Sequence, residues 1–263
     1  MQNLTDLIRI IPLSETLEPE DIFASAPGFL FTDDLKNQHG DPGDLIIYKS
    51  VVYGDIELRT ADPNGEEERN LFSHYLWNAG VLMAERVSGL RLPEEEKEIW
   101  SVVISDYPAP VVLSNILRNV KKNIPDSLSE RVVVEGHEWG VLDDAFARDN
   151  RHSFSRIVAA DCYWMPHQHE NLVQSMLHFL SLDHSARILA IAGFHTGRAK
   201  LAGFFDEAEA QGLAIEEIYE EDCDGVRREW QKEKDGGKEN VTERKRWLVT
   251  AILRRAQSDK RRS

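Results

Sequence analysis

The spacing of apolar residues predicts a helix and a hairpin in the first third of the chain. Over residues 70–87 apolar positions recur every three or four residues, which predicts a helix with one buried face. Residues 45–52 and 55–59 are β-rich runs joined at Tyr53 and Gly54, which predicts a β-hairpin. Residues 1–38 show no comparable periodicity, and we expect a loosely ordered segment there with one apolar patch at residues 29–31.

From residue 100 onward, short apolar runs alternate with helical patterns. The strand-like runs are residues 100–105, 131–135, 156–160 and 187–194, and the helical ones are residues 111–120, 170–182 and 201–211. This alternation is typical of a parallel sheet covered on both faces, so the predicted fold class is α/β. Two last strands without a helix between them, residues 213–219 and 246–253, predict an antiparallel addition at the sheet edge.

Two charged segments lie in this last part of the chain. The acidic run at residues 216–224 predicts a solvated edge strand, and the charged, Gly-rich insert at residues 230–243 is expected to be mobile. The chain as a whole is therefore divided into an N-terminal extension with the hairpin (1–69), a main domain (70–255) and a basic tail (256–263).

Composition narrows the class of protein. The formal net charge of −15 argues against binding to a nucleic-acid backbone, which needs a basic surface. Two cysteines, Cys162 and Cys223, are too few for a disulfide framework. We find neither a signal peptide in residues 1–18 nor an apolar run long enough to span a membrane. These features predict the cytoplasm, with the nucleus as the alternative. We also expect a monomer.

Acidic residues at strand ends are the first candidates for chemistry. Asp106 ends one strand-like run and precedes a helix, where an acid can bind the ribose hydroxyls of an adenosine-containing ligand or cap the helix. Asp161 ends another run, at the position where α/β sheets place ligands. His167 and His169 do not have the spacing of a helical metal site, and no metal is predicted.

Four segments in order resemble a known family. They are HYLWNA at residues 74–79, ISDYP at 104–108, GHEWG at 136–140 and ADCYW at 160–164, the last followed by HEN at 169–171. This series resembles the class I S-adenosylmethionine-dependent methyltransferases of the lysine-methyltransferase-like group, in the fungal branch often labelled nicotinamide N-methyltransferase-like. The resemblance covers roughly residues 29–255 and implies a Rossmann-like, seven-stranded sheet with S-adenosyl-L-methionine as cofactor.

The resemblance also implies roles for individual residues. Trp77 would lie along the methionine end of the cofactor, Asp106 would bind the ribose, and Trp139 would stack near the adenine. Ala160 and Asp161 would border the methyl group, with Asp161 as a local base or as the group that orients the amine.

Aromatic and histidine residues nearby leave two interpretations open. Tyr163 and Trp164 could face the sulfonium or a cationic substrate, or they could belong to the core. Trp77 and Trp139 could equally be packing residues. His195 either lines the substrate pocket or belongs to an ordinary strand-to-helix turn.

One departure from the family pattern is large. The family has a strand and a glycine-rich loop between the Trp77 helix and the Asp106 strand, whereas residues 88–101 contain a single glycine, Gly89. A strand, loop and crossover helix need about 30 residues. We therefore expect that an internal segment near Ser101 is lost, together with the first central strand. The Asp106 strand would then pair directly with the Asp161 strand, or the sheet would be split.

Two alternative functions follow, one from the four segments that are present and one from the glycine-rich loop that is missing. The intact downstream segments predict an N-methyltransferase that acts on a protein lysine, a protein N-terminus or a small amine. The missing loop predicts a non-catalytic relative that does not bind cofactor and acts through protein contacts.

Overall fold

The computed structural model describes residues 3–12, 37–62, 73–89 and 101–257. Within these, the chain separates into two compact units, Met1–Glu138 and Trp139–Ser263. The apolar patch expected at residues 29–31 and most of the basic tail, residues 258–263, lie outside the described residues.

In the first unit, three strands form an antiparallel sheet. Strands β3 (Leu45–Ser50) and β4 (Gly54–Arg59) form the predicted hairpin, and β1 (Ile8–Ile11) pairs with the other edge of β3. The expectation of a loosely ordered start is therefore wrong for β1. Its four residues are too few to show a periodicity, and their order comes from pairing with a strand almost 40 residues away.

A helix covers the free edge of β4. Helix α2 (Pro110–Asn123) carries three asparagines at four-residue spacing, and all three bind the β4 backbone. Asn119 and Asn123 both donate and accept, as a neighbouring strand would. The Asn119 amide accepts from the Arg59 N–H at 2.9 Å and donates to the Arg59 carbonyl at 2.9 Å. Asn123 does the same at Glu57, at 3.2 and 2.7 Å.

The rest of the first unit contains two short pairings and a helix. β2 (Gln38–His39) pairs with β5 (Leu76–Trp77), and β6 (Val102–Asp106) runs parallel to β7 (Val132–Gly136). Helix α1 is Asn78–Ser88, shorter than predicted, because residues 76–77 are extended and pair with β2. Residues 70–72 of the predicted helix lie outside the described part.

The second unit is built on a five-stranded sheet in the order β11-β10-β12-β9-β8. Its strands are β8 (Arg156–Ala160), β9 (Arg187–Gly193), β10 (Leu213–Asp222), β11 (Arg227–Glu229) and β12 (Trp247–Arg255). Its helices are α3 (Ala145–Asp149), α4 (His169–Phe179), α5 (Arg198–Gln211) and α6 (Val241–Lys245). β8 and β9 are parallel, and the other pairings are antiparallel, as the final strand pair predicted.

The core of this unit lies between the sheet and helices α4 and α5. Ile188, Ala190 and Val249 from the sheet meet Val173, Phe204 and other residues of the two helices, and all of them are almost fully buried. The α/β class predicted from the sequence is confirmed.

The Asp106 strand and the Asp161 strand belong to separate sheets within the described part of the chain. Among the described residues β6 pairs with β7 alone, and β8 has β9 as its only strand neighbour. Direct pairing of the Asp106 and Asp161 strands, one of the two expected outcomes, is therefore wrong.

Two expectations for the charged segments also need correction. Glu220 and Glu221 in the acidic run are 1% and 0% exposed, so this part of β10 is not a solvated edge. The insert contains the start of helix α6 and contributes Glu239 to a buried ion-pair network with Arg198. The partners of these acids come from distant positions that a local charge pattern does not reveal.

Candidate functional site

Asp161 lies directly after β8, at the carboxyl end of the parallel strand pair. Its backbone has a φ of 56°, a left-handed conformation that is uncommon for residues other than glycine. Its N–H donates to the Ile191 carbonyl at 2.7 Å, and its Oδ1 accepts from the Gly193 N–H at 3.0 Å. The second carboxylate oxygen, Oδ2, lies 2.8 Å from His195 Nε2. Sparsely populated backbone conformations of this kind concentrate at functional sites.

The Asp161–His195 pair depends on a glycine. A Cβ built on Gly193 would lie 2.6 Å from His195 Nε2 and 2.8 Å from its Cε1, so the imidazole ring covers the Gly193 Cα. The side chains of Asp161 and His195 are 10% and 23% exposed, so the pair is fixed and still reachable from solvent. The structure thus brings together two residues that the sequence proposed separately.

The other residues of the ADCYW segment divide between surface and core. Ala160 is exposed and Trp164 is half-buried, with its carbonyl accepting from Thr196 Oγ1 at 3.0 Å. Tyr163 is fully buried and stacks on Phe204 with ring centroids 4.5 Å apart. Burial raises the pKa of Tyr163 well above its ordinary value. Of the two interpretations left open for Tyr163, the structure places it in the core, away from solvent.

Trp139 lies at the start of the second unit and packs, half-buried, against its hydrophobic core. The following residue, Gly140, has a φ of +85° and donates its N–H to Ser175 Oγ at 2.9 Å. A Cβ at Gly140 would lie 2.7 Å from Asn171 Oδ1. The GHEWG and HEN segments are therefore in direct contact, which explains the glycine after Trp139.

Trp77 and Asp106 belong to the first unit. Trp77 is half-buried before helix α1, with its ring 5.8 Å from Tyr75 in an edge contact. Asp106 is exposed, and its Oδ1 accepts from the Tyr107 N–H at 2.7 Å. Desolvation by surrounding atoms raises its pKa, and the Tyr107 hydrogen bond opposes this. Helix α2 has Ala109 as its N-cap, so Asp106 does not cap it.

The described residues contain no cluster of three or more His, Cys, Asp or Glu side chains that could hold a metal ion. His169 is buried, and its Nε2 lies 2.9 Å from the Tyr163 carbonyl. Burial lowers the pKa of His169 and so favours the neutral ring.

Sequence reasoning missed a buried network of two arginines and two glutamates. Arg198, at the start of α5 and 5% exposed, contacts Glu220 through both terminal nitrogens and Glu239 through Nε and Nη2, the last two at 2.8 and 2.7 Å. Arg228 approaches Glu220 at 2.6 Å and lies 3.6 Å from the centre of the Trp247 ring. The four residues come from α5, β10, β11 and the insert, so no local pattern links them.

Comparisons with known proteins agree with the family resemblance of the sequence segments. The model of the lysine methyltransferase family matches residues 86–211, which include Asp106, Trp139, Asp161 and His195 but not Trp77. The resemblance is thereby confirmed: over this region the chain is similar to the lysine methyltransferase family.

The individual relatives share at most 29% sequence identity with this chain. A Schizosaccharomyces pombe protein, named protein N-terminal and lysine N-methyltransferase efm7, is 26% identical over 202 residues, covering 63% of this chain and 77% of its own. The Candida glabrata protein of the same name is 29% identical over 175 residues, covering 56% and 66%. A TehB-like S-adenosylmethionine-dependent methyltransferase from Corynebacterium glutamicum superimposes with a TM-score of 0.39 at 16% identity, covering 59% of this chain and 68% of its own.

The residues present fit the cofactor in part. The Asp106 carboxylate is exposed at the carboxyl end of a parallel strand, as a ribose ligand requires. The glycine-rich loop that would approach the cofactor's carboxylate has no counterpart, because Gly89 is the only glycine in residues 88–101 and has an ordinary helical φ of −82°. No helix among the described residues is long and apolar enough to cross a membrane.

Proposed function

We propose that the chain is an S-adenosylmethionine-dependent N-methyltransferase whose substrate is a protein amine, either a lysine side chain or an N-terminus. The observation that carries the proposal is the Asp161–His195 pair at the carboxyl ends of β8 and β9, inside the region that matches the lysine methyltransferase family. The names of the two relatives support a protein substrate over a small amine.

The pair acts on the substrate amine by position and charge. The Asp161 carboxylate is held by the Gly193 N–H and by His195, so its negative charge has a fixed location. A lysine or N-terminal ammonium is attracted to that charge, and after its proton is lost the neutral nitrogen is kept in place.

When bound, the cofactor supplies an electrophilic methyl group on a positively charged sulfur. Because the reaction needs little beyond a free lone pair in line with the methyl group, orientation by Asp161 contributes more than base strength. Asp106 would hold the ribose, and Ala160 and Trp164 would border the amine.

The second candidate is a relative that does not bind cofactor and acts through protein contacts. The specific observation in its favour is the missing central strand, which leaves β6 and β8 unpaired with each other among the described residues and provides no glycine-rich loop.

Calorimetric titration of the full chain with S-adenosylmethionine and S-adenosylhomocysteine tests the first candidate against the second. We expect micromolar binding that is lost in Asp106→Ala and kept in the matched variant Asp126→Ala, which removes an exposed acid from the turn after α2. Absence of binding by a chain that still unfolds cooperatively would reject the enzyme and support the non-catalytic relative.

A further inference from the structure

Arg244 lies next to the loop that carries His195. It belongs to helix α6, which begins at the end of the insert, and its guanidinium faces Gly197: a Cβ built on Gly197 would lie 3.9 Å from Nη2 and 4.0 Å from Cζ. Gly197 is two residues after His195 and ends the loop that follows β9. Arg244 is therefore at the same end of the sheet as the Asp161–His195 pair.

Its guanidinium has no acceptor within the described part of the chain. Arg244 Nε is buried there without a hydrogen-bond partner, and its side chain forms no ion pair. Glu239, five residues earlier in the chain, pairs with Arg198 at 2.7 Å, and Asp224 pairs with Arg246 at 3.5 Å. An unpaired donor is costly when buried, and Arg244 as a whole is only half-buried, so the arrangement favours an acceptor from outside.

The position of Arg244 is fixed by the residues of the insert that precede it. Asn240 caps α6, with its Oδ1 accepting from the N–H groups of Thr242 at 2.9 Å and Glu243 at 3.2 Å. The preceding residue, Glu239, is joined to buried Arg198 through both carboxylate oxygens. Because the helix is held at both the cap and the ion pair, the guanidinium is oriented before any ligand arrives.

We propose that Arg244 binds a carboxylate of the substrate, an Asp or Glu close in sequence to the methylated amine. A guanidinium matches a carboxylate with two parallel hydrogen bonds, which gives both affinity and orientation. The net charge of −15 favours a basic segment overall, so the acid recognised is a single residue within a basic peptide. This inference rests on the proposed methyltransferase function.

The test uses pairs of basic, fluorescein-labelled lysine peptides that differ only in Asp or Asn beside the target lysine. Binding is measured by fluorescence anisotropy and methyl incorporation by mass spectrometry. We expect the full chain to prefer the Asp peptide about tenfold, the scale of one charge-assisted hydrogen bond. Arg244→Ala should abolish the preference, Arg244→Lys should keep part of it, and Lys238→Ala, which removes an exposed charge from the same insert, should keep it all.

The inference would be overturned if the unmodified chain showed no preference for the Asp peptide, or if Arg244→Ala left the preference unchanged. It would also be overturned if Arg244→Ala lost affinity for S-adenosylhomocysteine, since that result would assign Arg244 to the cofactor's carboxylate. Failure of the proposed function gives a different pattern, namely no methyl incorporation and no binding of S-adenosylhomocysteine. In that case the anisotropy comparison still decides whether Arg244 recognises the acid.

Discussion

Replacing Arg198 by Met should strongly destabilise the second unit. Arg198 is 5% exposed, and its removal leaves the buried carboxylates of Glu220 and Glu239, 1% and 7% exposed, with Arg228 as the remaining cation of the network. Breaking a buried ion pair by removing one partner costs about 3–5 kcal/mol, since the other charge stays desolvated. The stacking of Arg198 on Phe194, 4.3 Å from the ring centre, is lost as well.

Urea unfolding followed by tryptophan fluorescence measures this effect, because Trp230 and Trp247 lie beside the network. With a slope of about 2 kcal/mol per molar urea, the loss corresponds to a midpoint roughly 1.5–2.5 M lower. Lys232→Met is the matched control, because its ion pair with Asp206 is more than half exposed on both sides and should be worth less than about 1 kcal/mol. Equal shifts for the two variants would refute the reasoning.

Two further predictions concern the site and its support. Gly193→Ala should lower the methylation rate at least about tenfold with little loss of stability. The reason is that the new methyl group displaces the movable ring of His195 from Asp161 and does not displace backbone. Steady-state kinetics measure the rate, and thermal unfolding measures the stability. Glu239→Gln should destabilise the chain at pH 6. The difference in stability between this variant and the unmodified chain should shrink as pH falls below about 4.5. Urea unfolding midpoints measured across this pH range test both statements.

The sign of the pH effect follows from the arginines around Glu239. Burial raises the pKa of Glu239, but the hydrogen bonds and charges of Arg198 and Arg228 outweigh it, and the net shift is downward. A lowered carboxyl pKa stabilises the folded state above the unfolded-state value, and this contribution is lost as pH falls through the folded-state value. A pH-independent difference would contradict the ion-pair assignment.

The Gly193→Ala prediction has an internal control. Gly203 lies within helix α5, where an added Cβ would be 3.6 Å from His169 Nδ1, an ordinary contact. Gly203→Ala should therefore leave the rate unchanged and raise stability slightly, by about 0.5–1 kcal/mol. If both glycine variants lose activity equally, the contact between Gly193 and His195 is not what matters.

Elements whose signal is local were predicted well from the sequence. The bounds of β8 were predicted to the residue, and those of β6, β7, β9 and α2 within a few residues, because apolar periodicity and flanking turns define them. β1 and the extended residues before α1 were missed. Both are short and take their conformation from strands that lie far away in the sequence, so local propensity carries little information about them.

The candidate site, too, could be predicted from the sequence only in part. That Asp106 and Asp161 end parallel strands followed from the sequence, but the contact between Asp161 and His195 did not, because it depends on the register of β8 against β9 and on the missing side chain at Gly193. Tyr163 and Trp164 are adjacent and similar in sequence, yet one is core and the other half-buried.

By itself, the sequence determined the α/β class, the resemblance to the lysine methyltransferases and the lack of a glycine-rich loop in residues 88–101, since these depend on the order of elements along the chain and on residue types that are present or missing. Only the tertiary structure decided that the sheet is split, that Glu220 and Glu239 are buried with Arg198, and that Arg244 is placed beside Gly197. A charge can be buried only where partners from distant segments converge, and that convergence is fixed by packing rather than by neighbours in the chain.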